Sequence, residues 1–257
     1  MNRLRRALAV VLPALALAAA GVAGARAEDA GRACGAPPEL LEAGAPLPAT
    51  ARAVSGGSLR IVVVGSASVL GPGTSGPAAA WPARLERLLS DKYPGLKVET
   101  VVRGAPGLTA SDGGDMIREE LKRAPTHLVI WQTGAVETAR NLDLDELAAA
   151  LDAGLGQVDA AGADAALVDP QFSRVLRANA NVEPYLEAMR LAAAAHNAPL
   201  VRRYDLMHAW AEAEKVDLER APRSKRVAAT DRLNDCLAQA VAAVLASGVE
   251  EAKPQTQ

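Results

Sequence analysis

The sequence predicts a three-layer α/β/α sandwich around a parallel sheet of roughly five strands. From Leu59 onward, short β-branched runs alternate with longer stretches whose apolar residues recur every three or four positions, the pattern of strands joined by crossover helices. Each strand run is also apolar at nearly every position, as a strand covered on both faces must be.

Taken in order, residues 1–27 read as a secretory signal peptide. Met1-Asn2-Arg3-Leu4-Arg5-Arg6 supplies the basic start, Ala7 to Ala23 the apolar run, and Ala25-Arg26-Ala27 the cleavage site. Pro13 and the many alanines favour cleavage over a retained anchor, so the expected destination is periplasmic or secreted. Residues 28–58, rich in Ala, Pro and Gly without a sustained period, read as an extended arm wrapping the domain. Strands are expected at Arg60–Val64, Lys97–Val102, His127–Gln132, Ala165–Val168 and Leu200–Arg203. Between and after them, helices are expected at Ala79–Lys92, Ser111–Lys122, Leu144–Ala160, Pro184–His196, Asp205–Lys215 and Asp235–Ala246. The domain is thus 59–248, and Val249 to Gln257 is a polar tail expected to fray.

Composition narrows the function classes. Without the leader's four arginines the chain carries 24 basic and 30 acidic residues, a formal net charge of −6, which disfavours nucleic acid as a partner. Its seven aromatic residues leave little material for stacking on sugars or bases. No segment after the leader is long and apolar enough to span a membrane. Cys34 and Cys236, sent to an oxidising compartment, are expected to pair. Their spacing suits neither a metal nor a redox site, and no metal or other cofactor is expected.

In an open parallel sheet the site lies beyond the carboxyl ends of the strands. The first strand is followed by Gly65-Ser66-Ala67-Ser68-Val69-Leu70-Gly71. A phosphate-binding loop would need a following Gly-Lys-Ser/Thr, and a dinucleotide fingerprint would need G-x-G-x-x-G; both are missing. Further along stand Val101-Val102-Arg103-Gly104-Ala105-Pro106-Gly107, Val129-Ile130-Trp131-Gln132-Thr133-Gly134-Ala135-Val136, Val168-Asp169-Pro170-Gln171 and Asp231-Arg232-Leu233-Asn234.

Together, from about Leu59 to Leu245, these blocks resemble the ordered motifs of the SGNH (GDSL-type) hydrolases, in a branch with an N-terminal arm and a C-terminal cysteine. The resemblance implies a flavodoxin-like sheet and acyl transfer by a serine, a histidine base and an orienting aspartate, with a glycine N–H and an asparagine amide as oxyanion donors. Carried over residue by residue, it puts Ala67 at the nucleophile, Gly107 at the glycine donor, Val136 at the asparagine, Asp231 at the aspartate and Asn234 at the base. Alanine cannot attack a carbonyl, valine cannot donate to an oxyanion, and an amide cannot accept a proton at neutral pH. Gly107 and Asp231 are the surviving matches, and the stretch from Asp231 to Cys236 looks shortened.

Ser66 and Ser68 flank the lost nucleophile and are the candidates if the protein is active. His127, His196 and His208 are the available bases, and His208 is the one worth testing. Gln132, Asp169 and Gln171, at strand ends, are candidates for binding polar ligand groups or for capping. The basic run Arg220 to Arg226 reads as a pocket-mouth attractant for anions or as a solvated loop.

The reading is an exported pseudo-hydrolase that holds a small ester or carbohydrate-like ligand, or an envelope protein partner, in an inherited cleft. Its rivals are an active serine esterase or acyl-carbohydrate hydrolase with a non-standard nucleophile and base, and an envelope interaction protein whose cleft is vestigial.

Overall fold

The computed structural model describes residues 32–253, so the leader reading of residues 1–27 lies outside the described residues. Strands β1 (Ser58–Ser66), β2 (Lys97–Ala105), β3 (Leu128–Gln132), β4 (Asp164–Val168) and β5 (Leu200–Val201) form one parallel sheet in the order β2-β1-β3-β4-β5. Helices α1 (Pro48–Ser55), α2 (Trp81–Lys92), α3 (Ala110–Arg123), α4 (Ala135–Arg140), α5 (Leu144–Ala160), α6 (Arg174–Asn179), α7 (Glu183–Ala195), α8 (Arg203–Glu212) and α9 (Arg226–Glu251) complete the chain with short 3₁₀ turns.

The two-residue period of the strands sorts the core into two layers. Ile61, Val63, Leu128, Ile130, Ala166 and Val168 pack with α2, α8 and α9. Their neighbours Val62, Val64, Val129, Trp131, Ala165 and Leu167 pack with α3, α5 and α7. This double burial is why the strand runs are apolar throughout rather than alternating.

Three expected elements differ. The arm is not simply extended: Pro48 opens α1, whose first amides, Ala49 N and Thr50 N, donate to the Asp164 carboxylate at 3.2 and 2.7 Å. Cys34 pairs with Cys236 (Cα–Cα 5.4 Å), Trp210 Nε1 donates to Ala33 O, and Leu47 N donates to Gly248 O, so the described part of the arm is tied to α8 and α9. The last helix starts at Arg226 rather than Asp235 and runs to Glu251, because no glycine or proline interrupts it before Gly248 and its apolar face, Leu233, Leu237, Val241 and Val244, is continuous. It therefore absorbs the start of the expected tail, and Val249 is buried. Finally, β5 stops at Val201 because α8 begins at Arg203, where the expected strand still ran.

Candidate functional site

All five strands are parallel, so their carboxyl ends share one edge of the sheet. β1 and β2 reach it in register, Gly65 opposite Gly104. A Cβ on Gly65 would lie 2.7 Å from Val69 Cγ1, and one on Gly104 2.6 Å from Val69 Cγ2. The paired glycines thus make the recess into which Val69 plugs, and this fixes the Ala67–Leu70 turn against the strand ends.

On that turn Ser66, Ala67 and Ser68 are half-buried. Gln132, the buried last residue of β3, donates from Nε2 to Ser68 Oγ at 2.5 Å. Arg203, at the start of α8, reaches back over the ends of β4 and β3: Nη1 donates to Ser68 Oγ at 3.4 Å and Nη2 to Gln171 Oε1 at 3.3 Å. Arg203 is only 4% exposed, and among the described residues its Nε has no hydrogen-bond partner. Burial pushes Arg203 down to about 10, which still leaves it protonated at neutral pH.

Asp169, at the end of β4, accepts from Tyr204 N at 2.8 Å and so caps the first turn of α8. Burial pushes its carboxyl up to about 8, with nearby Asp205 adding to the rise and Arg203 opposing it. Asp169 thus spends its hydrogen bond on the α8 backbone and makes none to the guanidinium. Of the three strand-end candidates, Gln132 and Gln171 enter one cluster with Ser68, and Asp169 stands behind them as a cap.

The remaining positions to which the resemblance points are placed as follows. Gly107 has φ +76°, and a Cβ there would lie 2.8 Å from Arg140 Nη2, so a guanidinium covers this glycine. Val136 is half-buried in α4. Asp231 and Asn234 lie inside α9, and their side chains bond the segment after the β1 turn. Ser75 N donates to Asp231 Oδ1 at 2.8 Å, and Trp81 N donates to Asn234 Oδ1 at 3.0 Å. Asn234 Nδ2 also donates to Thr230 O. α2 has no cap of its own at Ala80, and Asn234 supplies one from another helix.

The histidines divide by sheet edge. His127 precedes β3, where Nδ1 accepts from Arg60 N. His196 precedes β5, clamped by Asp159 at 2.7 Å and Asp152 at 3.0 Å. Both therefore sit at the amino ends of strands, opposite the site. His208, on α8, stands 4.8 Å from the Phe172 ring and 3.7 Å from Glu212 Oε1. Arg220 to Arg226 is largely exposed, as a solvated loop would be. Among the described residues, no group of three or more His, Cys, Asp or Glu could hold a metal ion.

Sequence reasoning missed Arg203, which it placed at the end of a strand. Its signal was there: a basic residue closing an apolar run that ends at the ligand edge. Glu137 was missed too; buried in α4, it accepts from Ala110 N and caps α3.

The model of the non-GDSL lipase-like family matches residues 33–251. No curated protein matches this chain. Among solved structures, LAE5, an alpha/beta hydrolase enzyme from the metagenome of Lake Arreo, Spain, is 17% identical with a TM-score of 0.56, covering 72% of this chain and 96% of that one. TesA is 20% identical with a TM-score of 0.54, covering 69% and 94%. A variant of Axe2, an acetyl xylan esterase from Geobacillus stearothermophilus, is 19% identical with a TM-score of 0.54, covering 68% and 91%. At these identities the likeness is one of fold.

Proposed function

Since the chain belongs to the non-GDSL lipase-like family and has an esterase-like fold, we propose that it is an exported, catalytically impaired member of that family. In this reading it holds a ligand or an envelope partner at the carboxyl edge of its sheet. The observation that carries the reading is the β1 turn: the resemblance puts Ala67 at the nucleophile, and the one serine engaged there, Ser68, contacts an amide and a guanidinium rather than a base. A guanidinium cannot take a proton from a hydroxyl. The resemblance puts Asn234 at the base, yet its amide is spent on the α2 amino terminus. Nucleophile and base act as a unit, so losing both removes the usual mechanism.

The leader pattern supports export, and the Cys34–Cys236 bond suits an oxidising compartment.

One placement favours a second reading, an active serine ester hydrolase. His208 packs on Phe172, the residue after Gln171, so it lies on the site side of the sheet. A fluorophosphonate probe and a short acyl ester separate the two readings. No label and no turnover above background is the expected result. Labelling of Ser66 or Ser68, with turnover abolished by Ser66→Ala or Ser68→Ala, would overturn the impaired reading.

A further inference from the structure

The cluster at the β1 turn holds a charge that no described residue balances by an ion pair. The Arg203 guanidinium is buried, both its hydrogen bonds are long, both run to neutral groups, and its Nε is unpartnered. A buried cation without a counter-charge is costly, whereas one completed by an anion forms a strong charge-assisted contact. Asp169 is turned instead to Tyr204 N, and among the described residues no carboxylate forms a hydrogen bond or ion pair with this guanidinium.

Of the groups around the guanidinium, Ser68 and Gln171 have donors to spare, while Gln132 Oε1 is a buried acceptor without a partner among the described residues. Ser68 Oγ accepts from both Gln132 and Arg203, which leaves its own hydrogen to donate. Gln171 turns its Oε1 inward to Arg203, which leaves its amide nitrogen to donate. Ser68 is half-buried and Gln171 exposed, so the row runs from the interior to solvent.

We propose that Ser68, Gln171 and Arg203 form a binding site for a small carboxylate anion. Two outward donors backed by one positive charge match a monoanion with two acceptor oxygens; a phosphate dianion would bring twice the charge and need more donors. The inference rests on the cleft being a binding site and names the class of ligand it takes.

The test is calorimetric titration of the purified chain near pH 7 with hexanoate, glucuronate, hexanamide and inorganic phosphate. Saturable binding of either carboxylate, with hexanamide about tenfold weaker or worse, is expected. Tighter hexanoate identifies an aliphatic acid as the source of the carboxylate, and tighter glucuronate an acidic sugar. Ser68→Ala and Arg203→Met should each weaken the carboxylate by about tenfold or more. If Arg203→Met does not fold, Gln171→Ala takes its place beside Ser68→Ala. The proposal is overturned if neither carboxylate binds, if hexanamide or phosphate binds as well, or if Ser68→Ala binds like the native chain. Absence of anion binding in a chain that also resists fluorophosphonate removes this inference alone, whereas labelled Ser68 removes the non-catalytic reading whatever the titration gives.

Discussion

Replacing Gly154 with alanine sets two opposed effects against each other. In a helix interior, Gly→Ala is worth about 1 kcal/mol in favour of folding, through backbone entropy. At Gly154, in α5, the new methyl would stand 2.5 Å from Cη2 and Cζ3 of Trp131, against an optimum of about 3.5–4.0 Å between carbons. The ring cannot step aside. Trp131 is 1% exposed, and across from α5 its Nε1 lies 2.6 Å from where a Cβ on Gly113, in α3, would be. A Cβ has no rotamer with which to escape, so the overlap must be relieved by moving a helix or the strand. Overpacking of this kind costs about 1–3 kcal/mol, and the rigidity on both sides places it near the top of that range. The net expectation is a loss of about 2 kcal/mol, or about 4–8 °C in Tm for a domain of this size.

Gly156, two residues along the same helix, is the internal control. Its Cβ would meet only His196 Cε1 at 3.9 Å, an ordinary contact. Gly156→Ala should therefore stabilise, by about 0.5–1 kcal/mol. Urea unfolding with unchanged m-values reads both variants. Placing Gly154→Ala on a Trp131→Leu background should turn its effect from unfavourable to favourable, since the ring it strikes has gone. If Gly154→Ala stabilises as Gly156→Ala does, or if removing the indole leaves its cost unchanged, the steric argument is wrong.

Three further outcomes are expected. Asn234→Ala should destabilise by about 1–3 kcal/mol in the same unfolding assay, because the Trp81 amide loses its acceptor. The hydrogen bond to Asp159, joined by that to Asp152, holds His196 protonated above its ordinary value; the stability it adds is fully present below the unfolded value of about 6.5 and lost as pH rises through the raised folded value. His196→Gln should therefore narrow the difference in denaturation midpoint between pH 6 and pH 9, and an unchanged difference would count against the clamp. Non-reducing mass analysis should find no free thiol, and Cys34→Ala with Cys236→Ala should cost up to about 5 kcal/mol, since the bond joins residues 202 apart.

The sheet was legible because its signal is local. Residues such as Ile61–Val64 and Leu128–Trp131 are apolar on both faces whichever helices cover them, and the α5 range Leu144–Ala160 agrees with its periodicity at both ends. The pairing of Cys34 with Cys236 was expected from the count of cysteines and an expected compartment, needing no geometry.

What no window of sequence contains is where a side chain's hydrogen bonds go. Asp231 and Asn234 read as the remains of a catalytic block, yet in the fold they sit inside a 26-residue helix and bond Ser75 and Trp81, more than 150 positions away. Arg203 read as the end of a strand and became a buried cation beside Ser68, 135 residues distant, because α8 starts there and aims it back across the sheet edge. Local pattern measures how well a residue suits its own segment. The charge balance of a site is set by which segments the fold brings together, and here only the tertiary structure decided that a guanidinium would lie beneath the β1 turn with no carboxylate among the described residues bonded to it.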